Sequence, residues 1–320
     1  MPQPAKRYSR PNPPAGSRRA DRVSWDQAVE LFLAEGRRMN LSTATLQNYR
    51  AYLCGPRVRA YLSDRGLVGP ADLTAEALRD LERELVGVEL KPGTVATYHR
   101  VLKNFAGFCI REGIGASEEV LLVAGPKLPQ VEPDSFTDAE IARLFVALKS
   151  RPRDEILIRF MLQTGLRLQE VCNTTVDDVI ESPDGWYVRV RQGKGRKDRI
   201  VPLDTPQERL SARLRRYVDR IRPRQTRSRA LFLSARKLNG EYGPLTRHGV
   251  QVLCQRLTEE IGIHVNAHKF RHSFATRALA AGVDVMALQR ALGHSTLAMV
   301  SRYVHYQRDD LLRAWQTRRD

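Results

Sequence analysis

The sequence predicts a mainly α-helical protein in two parts: an N-terminal helical bundle and a larger α-rich domain with one small antiparallel β element. Three observations carry this. Capped stretches with helical periodicity fill residues 23–113 and recur from residue 135 onward. A break rich in proline, "GPKLPQVEPDS", separates the two parts. One stretch, "GWYVRVRQGKGRKDRIVPL", alternates apolar and polar residues with a period of two.

Residues 1–22 are basic and proline-rich without an apolar run, and read as a disordered arm rather than a secretory signal. The first helix opens at Ser24, with Gln27 in capping-box spacing. A second starts in the hydroxyl cluster at Ser42 and stops at Gly55-Pro56. A third begins at Thr74, and a fourth follows Pro92-Gly93 and stops near Gly113. These four or so helices make a bundle over 23–113, with a linker over 114–134 and the second domain over 135–320.

That domain starts with a capping box, Thr137 and Glu140. Alternation from Trp186 to Arg191 breaks at Gly193 and Gly195 and resumes at Ile200, which predicts a hairpin with a basic tip. Helices are then expected near 205–221, 246–261, 267–281, 284–292 and 296–306.

The formal net charge of +17 suits a polyanionic partner, with nucleic acid ahead of a membrane surface. No run of 18 apolar residues suggests a membrane span. Cys54, Cys109, Cys172 and Cys254 are scattered, which reads as reduced cysteines of a cytoplasmic protein. The histidines at 264, 268, 272, 294 and 305 fit no zinc spacing, so no metal is expected.

Four stretches carry chemistry. In "TGLRLQEV", Arg167 follows a helix break and Glu170 lies one turn on; alone this reads as a surface ion pair. In "GKGRKDR", Lys194 stands between glycines at the hairpin tip; alone this is a solvated turn, and its spacing is not that of a nucleotide-binding loop. In "HKFRHSFATRAL", His268 and Arg271 share a helix face ahead of an apolar anchor, with His272 facing elsewhere. In "ALGHSTLAMVSRYVH", Gly293 ends a helix, His294 sits at the joint, and Tyr303 follows nine residues later.

Together and in this order the four stretches resemble the tyrosine recombinase family, the phage integrases and Xer-type site-specific recombinases. The resemblance spans roughly residues 24–310, with Phe270 standing where leucine is commoner. It implies a SAM-like core-binding bundle joined to a catalytic domain of the DNA breaking-rejoining fold. It implies that Tyr303 is the nucleophile, forming a 3′-phosphotyrosyl bond. Arg167, Arg271 and His294 would bind the phosphate, Lys194 would protonate the leaving oxygen, His268 would assist proton movement, and Glu170 would orient its neighbours.

No cofactor and no ATP is implied, since the covalent link retains the energy of the broken bond. The implied partners are double-stranded DNA with specific core sites, three further copies in a tetramer passing through a Holliday junction, and a second recombinase or accessory proteins. A cytoplasmic, nucleoid-associated location goes with this. Arg37, Arg38, Arg50, Lys91, Arg100 and Lys103 are candidate phosphate contacts in the bundle. The tail around Leu311, Leu312 and Trp315 is amphipathic and is expected to dock on a neighbouring protomer. Two alternatives stay open: a type IB topoisomerase-like enzyme that reseals the same strand, and a DNA-binding protein that has lost catalysis.

Overall fold

The computed structural model describes residues 23–128, 134–191, 198–224 and 226–293. The N-terminal arm, the hairpin tip, the expected helix at 296–306 and the amphipathic tail lie outside the described residues. The chain divides into two compact units, residues 1–130 and 131–320.

The first unit contains α1 (Trp25–Arg38), α2 (Thr43–Leu53), α3 (Pro56–Asp64), α4 (Ala75–Gly87) and α5 (Pro92–Glu112). Ser24 caps α1 in a full capping box, Ser42 caps α2, and Thr74 caps α4. Gly113, in the left-handed region, stops α5. The bundle closes on aromatic side chains: Trp25 meets Phe105 at 5.0 Å between ring centroids, and Phe32 lies against both Phe105 and Phe108. Full burial of a side chain such as Phe105 contributes about 1.5–3 kcal/mol. The Trp25 indole nitrogen donates to the Leu53 carbonyl at 2.9 Å, so the buried polar atom is satisfied.

Two expectations change here. Pro56 ends α2 as foreseen, yet it also starts α3, because a proline at the first helical position loses no hydrogen bond. The stretch read as linker from residue 114 carries a 3-10 turn, Glu118–Leu122, whose Val120 is buried with Val123 in the bundle core. Its first half therefore belongs to the bundle.

In the second unit, α6 (Asp138–Leu148), α7 (Pro152–Thr164) and α8 (Leu168–Asn173) precede a three-stranded antiparallel sheet of β1 (Val179–Ser182), β2 (Gly185–Val190) and β3 (Arg199–Pro202). Val188 pairs with Val179 on one side and Val201 on the other. Next come α9 (Leu210–Arg220), the hairpin of β4 (Leu233–Leu238) and β5 (Glu241–Pro244), α10 (Arg247–Ile261), α11 (Ala267–Ala280) and α12 (Val285–Leu292).

Helix α7 is the hub. Ile156, Leu157, Ile158, Phe160 and Met161 are all buried, and α6, α9 and α11 pack on it. The expected β2–β3 hairpin is present, but β1 and the β4–β5 hairpin add strands that the helical reading passed over. Each had a turn signal, Pro183-Asp184 before Gly185 and Asn239-Gly240 between Leu238 and Glu241. Asn239 and Gly240 both take positive φ, as a two-residue hairpin turn requires.

Candidate active site

The site begins where α7 stops. Gly165 sits in the left-handed region at φ 59° and returns its amide to the Met161 carbonyl. A Cβ there would stand 2.3 Å from a ring carbon of Phe274, so both backbone and packing demand glycine. The turn delivers Arg167 to the N-cap of α8 with extended backbone. Glu170 folds back on it, accepting from the Arg167 amide at 2.8 Å and from Nη1 at 3.0 Å. The other terminal nitrogen of Arg167 donates to the Gly293 carbonyl at 2.9 Å.

Asn266 caps α11 by accepting from the Lys269 amide at 2.9 Å. This orients the first turns of α11. His268 is exposed and Arg271 is buried, with 7% of its surface accessible. Arg271 donates to the Gly165 carbonyl at 2.7 Å and to the Leu292 carbonyl at 2.6 Å. A third arginine, Arg199 at the start of β3, donates to the Ala291 carbonyl at 2.7 Å and grips Glu170 with both terminal nitrogens, at 3.0 and 2.7 Å.

Three consecutive carbonyls at the end of α12 thus each receive a different guanidinium. Carbonyls in the last turn of a helix lack intrahelical donors and carry the negative end of its dipole, so cations suit them. Burial pushes the Glu170 carboxyl up. The Arg199 hydrogen bonds, the Arg167 amide and the two guanidinium charges outweigh it, and Glu170 is held below the usual glutamate range.

Beside this network opens a groove of about 1300 Å³, lined by Arg167, His268, Arg271 and His272 together with Arg247, Gln251 and Gln255 of α10. The structure thus brings Arg167, Glu170 and Arg271 together and sets His268 on the same groove, and His272, expected to face elsewhere, lines that groove as well. Lys194, His294 and Tyr303 lie outside the described residues. Four residues of this region escaped the sequence reading. Arg247, Gln251 and Gln255 did have a signal, a four-residue spacing along α10. Arg199 had none, because its partners lie 29 and 92 residues away.

In the first unit, Arg37, Lys91 and Arg100 are exposed. Arg38 pairs with Glu35 and Arg50 with Glu30, both on the surface. Lys103 departs from the expectation of an outward phosphate contact: its ammonium donates to the Val123 carbonyl at 2.8 Å and closes the 3-10 turn onto α5. Among the described residues no group of His, Cys, Asp and Glu is arranged to hold a metal. No helix there is long and apolar enough to cross a membrane.

Residues 134–309 match the Phage integrase family. The chain belongs to this family of tyrosine recombinases. The recombinase is 31% identical over 292 residues to tyrosine recombinase XerD of Corynebacterium glutamicum, covering 86% of this chain and 92% of that one. Tyrosine recombinase XerA of Pyrococcus furiosus is 31% identical over 226 residues, or 70% of this chain and 75% of that one.

Solved structures share the fold. The XerH site-specific recombinase bound to palindromic difH substrate superposes with a TM-score of 0.69 at 20% identity, over 92% of this chain and 84% of that one. A lambda integrase dimer bound to a COC′ core site gives 0.69 at 18%, over 88% and 77%. The protein is a site-specific recombinase, an enzyme of DNA strand transfer, and resealing of a single strand as a topoisomerase is not favoured.

Proposed function

We propose that Tyr303 is the nucleophile of strand cleavage and that Arg167, Arg271 and His294 hold the scissile phosphate. The observation that carries this reading is the convergence of Arg167 and Arg271, 104 positions apart in sequence, on adjacent carbonyls beside one groove. Guanidinium forks match phosphate oxygens, and charge develops on those oxygens in the transition state. Enzymes lower barriers by about 8–23 kcal/mol, and an unactivated phosphodiester needs the upper part of that range.

The phenol oxygen of Tyr303 bonds to phosphorus, and the bond from phosphorus to the 5′ oxygen breaks. The 3′ side becomes a phosphotyrosyl ester, and the 5′ oxygen leaves as a hydroxyl with a proton from Lys194. His268 accepts the proton that the Tyr303 phenol gives up as its oxygen bonds to phosphorus. Attack by a 5′ hydroxyl from the partner duplex reverses the chemistry without ATP, metal or cofactor.

The partner is double-stranded DNA. The bundle over 23–113 and the domain over 135–320 serve as its two DNA-binding parts, with Arg37, Arg38, Arg50, Lys91 and Arg100 on phosphates. The face of α10 bearing Arg247, Gln251 and Gln255 suits base edges in the major groove, where Arg reads guanine and Gln reads adenine. Four copies exchanging strands through a Holliday junction fit the chemistry, and a lambda integrase tetramer bound to a Holliday junction shares the fold. The tail after Tyr303 joins neighbouring copies, and a truncation at residue 307 that still formed stable DNA-bound tetramers would refute that role.

The test is covalent trapping on a site nicked next to the scissile bond, where the released fragment diffuses away. Wild type accumulates a protein–DNA adduct and Tyr303→Phe accumulates none. An adduct that persists in Tyr303→Phe rules out this nucleophile.

A further inference from the structure

We propose that Arg199 is a positioning residue for strand cleavage: by holding Glu170 and the end of α12 at once, it keeps Glu170 from offsetting the Arg167 charge and keeps that guanidinium aimed at the phosphate. This rests on the reading above that Arg167 and Arg271 bind the reacting group.

Three observations support it. First, Arg199 does not line the groove, and only 11% of its side chain is accessible, so it acts through its neighbours. Each of its three side-chain nitrogens donates to a neighbour. Nε meets the Ala291 carbonyl, Nη1 meets Glu170 Oε1 and Nη2 meets Glu170 Oε2.

Second, the charge balance changes with it. Glu170 and Arg167 alone form a neutral pair, which attracts a phosphate weakly. Arg199 supplies the second positive charge, so the trio keeps a net charge of one unit, and Arg167, 27% accessible, is the member that reaches the groove. Glu170 can then orient Arg167 through its amide and Nη1 without neutralising the site.

Third, the contact is built. Gly293 takes φ 63°, and a Cβ on it would stand 3.2 Å from Arg199 Cζ, so the guanidinium lies directly on the glycine backbone. This glycine is where the chain leaves α12 for the segment that contains His294 and Tyr303. Arg199 also opens β3, paired with Val190, so the same residue ties the hairpin to the arginine network.

The experiment compares wild type, Arg199→Met and Arg199→Lys in single-turnover covalent trapping on the nicked site at saturating protein. DNA affinity is measured separately by gel shift, and folding by thermal melting. Both variants are expected to bind DNA within about threefold of wild type. The trapping rate should fall about 10- to 100-fold in Arg199→Met and less in Arg199→Lys, which keeps the charge and loses the fork. The rate–pH profile adds a reading that general loosening would not move. Without Arg199 the Glu170 carboxyl protonates more readily, and a protonated Glu170 no longer offsets Arg167, so the deficit of Arg199→Met against wild type narrows as pH falls.

A trapping rate within threefold of wild type, a defect confined to affinity, or a deficit that stays constant as pH falls each overturns the proposal. If Arg199→Met melts below the assay temperature, Arg199→Lys decides it by a lowered rate at unchanged affinity. Failure of the catalytic reading looks different, because wild type itself would then form no adduct dependent on Tyr303.

Discussion

Replacing Gly165 by alanine tests the foundation of the site. The residue holds φ 59°, a region that costs an ordinary residue about 1–2 kcal/mol. The new methyl carbon would meet the Phe274 ring at 2.3 Å, and relieving such overpacking costs about 1–3 kcal/mol. Together the loss is about 2–5 kcal/mol. At about 2–4 °C per kcal/mol for a unit of this size, the melting temperature of the second unit should drop by about 4–20 °C. Gly262→Ala is the control: the same left-handed backbone at φ 64°, with nothing within 4 Å of its Cβ, so only the conformational cost of about 1–2 kcal/mol remains. Function should divide the two variants further. The Gly165 carbonyl accepts from Arg271, and the turn launches Arg167, so Gly165→Ala should slow covalent trapping even well below its melting point while Gly262→Ala does not. Equal melting and equal trapping in the two variants would refute the packing argument at residue 165.

Other outcomes follow from the same geometry. Glu170→Gln leaves Arg167 and Arg199 without their buried carboxylate, and should destabilise the second unit by about 3–5 kcal/mol in urea unfolding near neutral pH. Because the folded state holds Glu170 below its ordinary value of 4.5, its contribution is full above that value and is lost as pH falls through the depressed folded value. Glu170→Gln should therefore lose part of the acid sensitivity of wild type. The Lys269 ammonium lies 2.9 Å from Asp134, 3.7 Å from Glu140 and 4.6 Å from the centroid of the Phe136 ring. Lys269→Met should cost about 1.5–3 kcal/mol by urea unfolding, with α11 still anchored where Ser273 accepts from the Phe136 amide. Gly240→Ala at the β4–β5 turn should cost about 1–2 kcal/mol for its positive φ and leave trapping unchanged, since nothing lies within 4 Å of a Cβ there. Gln251→Ala should reduce discrimination at one base position by about 1–3 kcal/mol in a site-selection assay, with little change in nonspecific binding.

Features set by neighbours along the chain were legible before any fold was known. Ser24, Ser42, Thr74 and Thr137 cap helices because a side chain satisfies amides two or three residues away. Gly113, Gly165 and Gly293 stop helices because their backbone reaches the left-handed region at low cost. The Arg167–Glu170 pair was legible for the same reason, being three residues apart on one turn. The start of α3 at Pro56 and the β4–β5 turn at Asn239-Gly240 were also local, and were passed over. Tertiary structure alone decided the rest. Val120 and Val123 belong to the bundle because a core had room for them, a fact that a stretch without periodicity cannot announce. The union of Arg167, Arg199 and Arg271 on residues 291–293 joins segments separated by up to 126 positions. Such contacts exist only once the chain is folded, since the orphan carbonyls of α12 and the buried carboxylate of Glu170 select their cations by position in space.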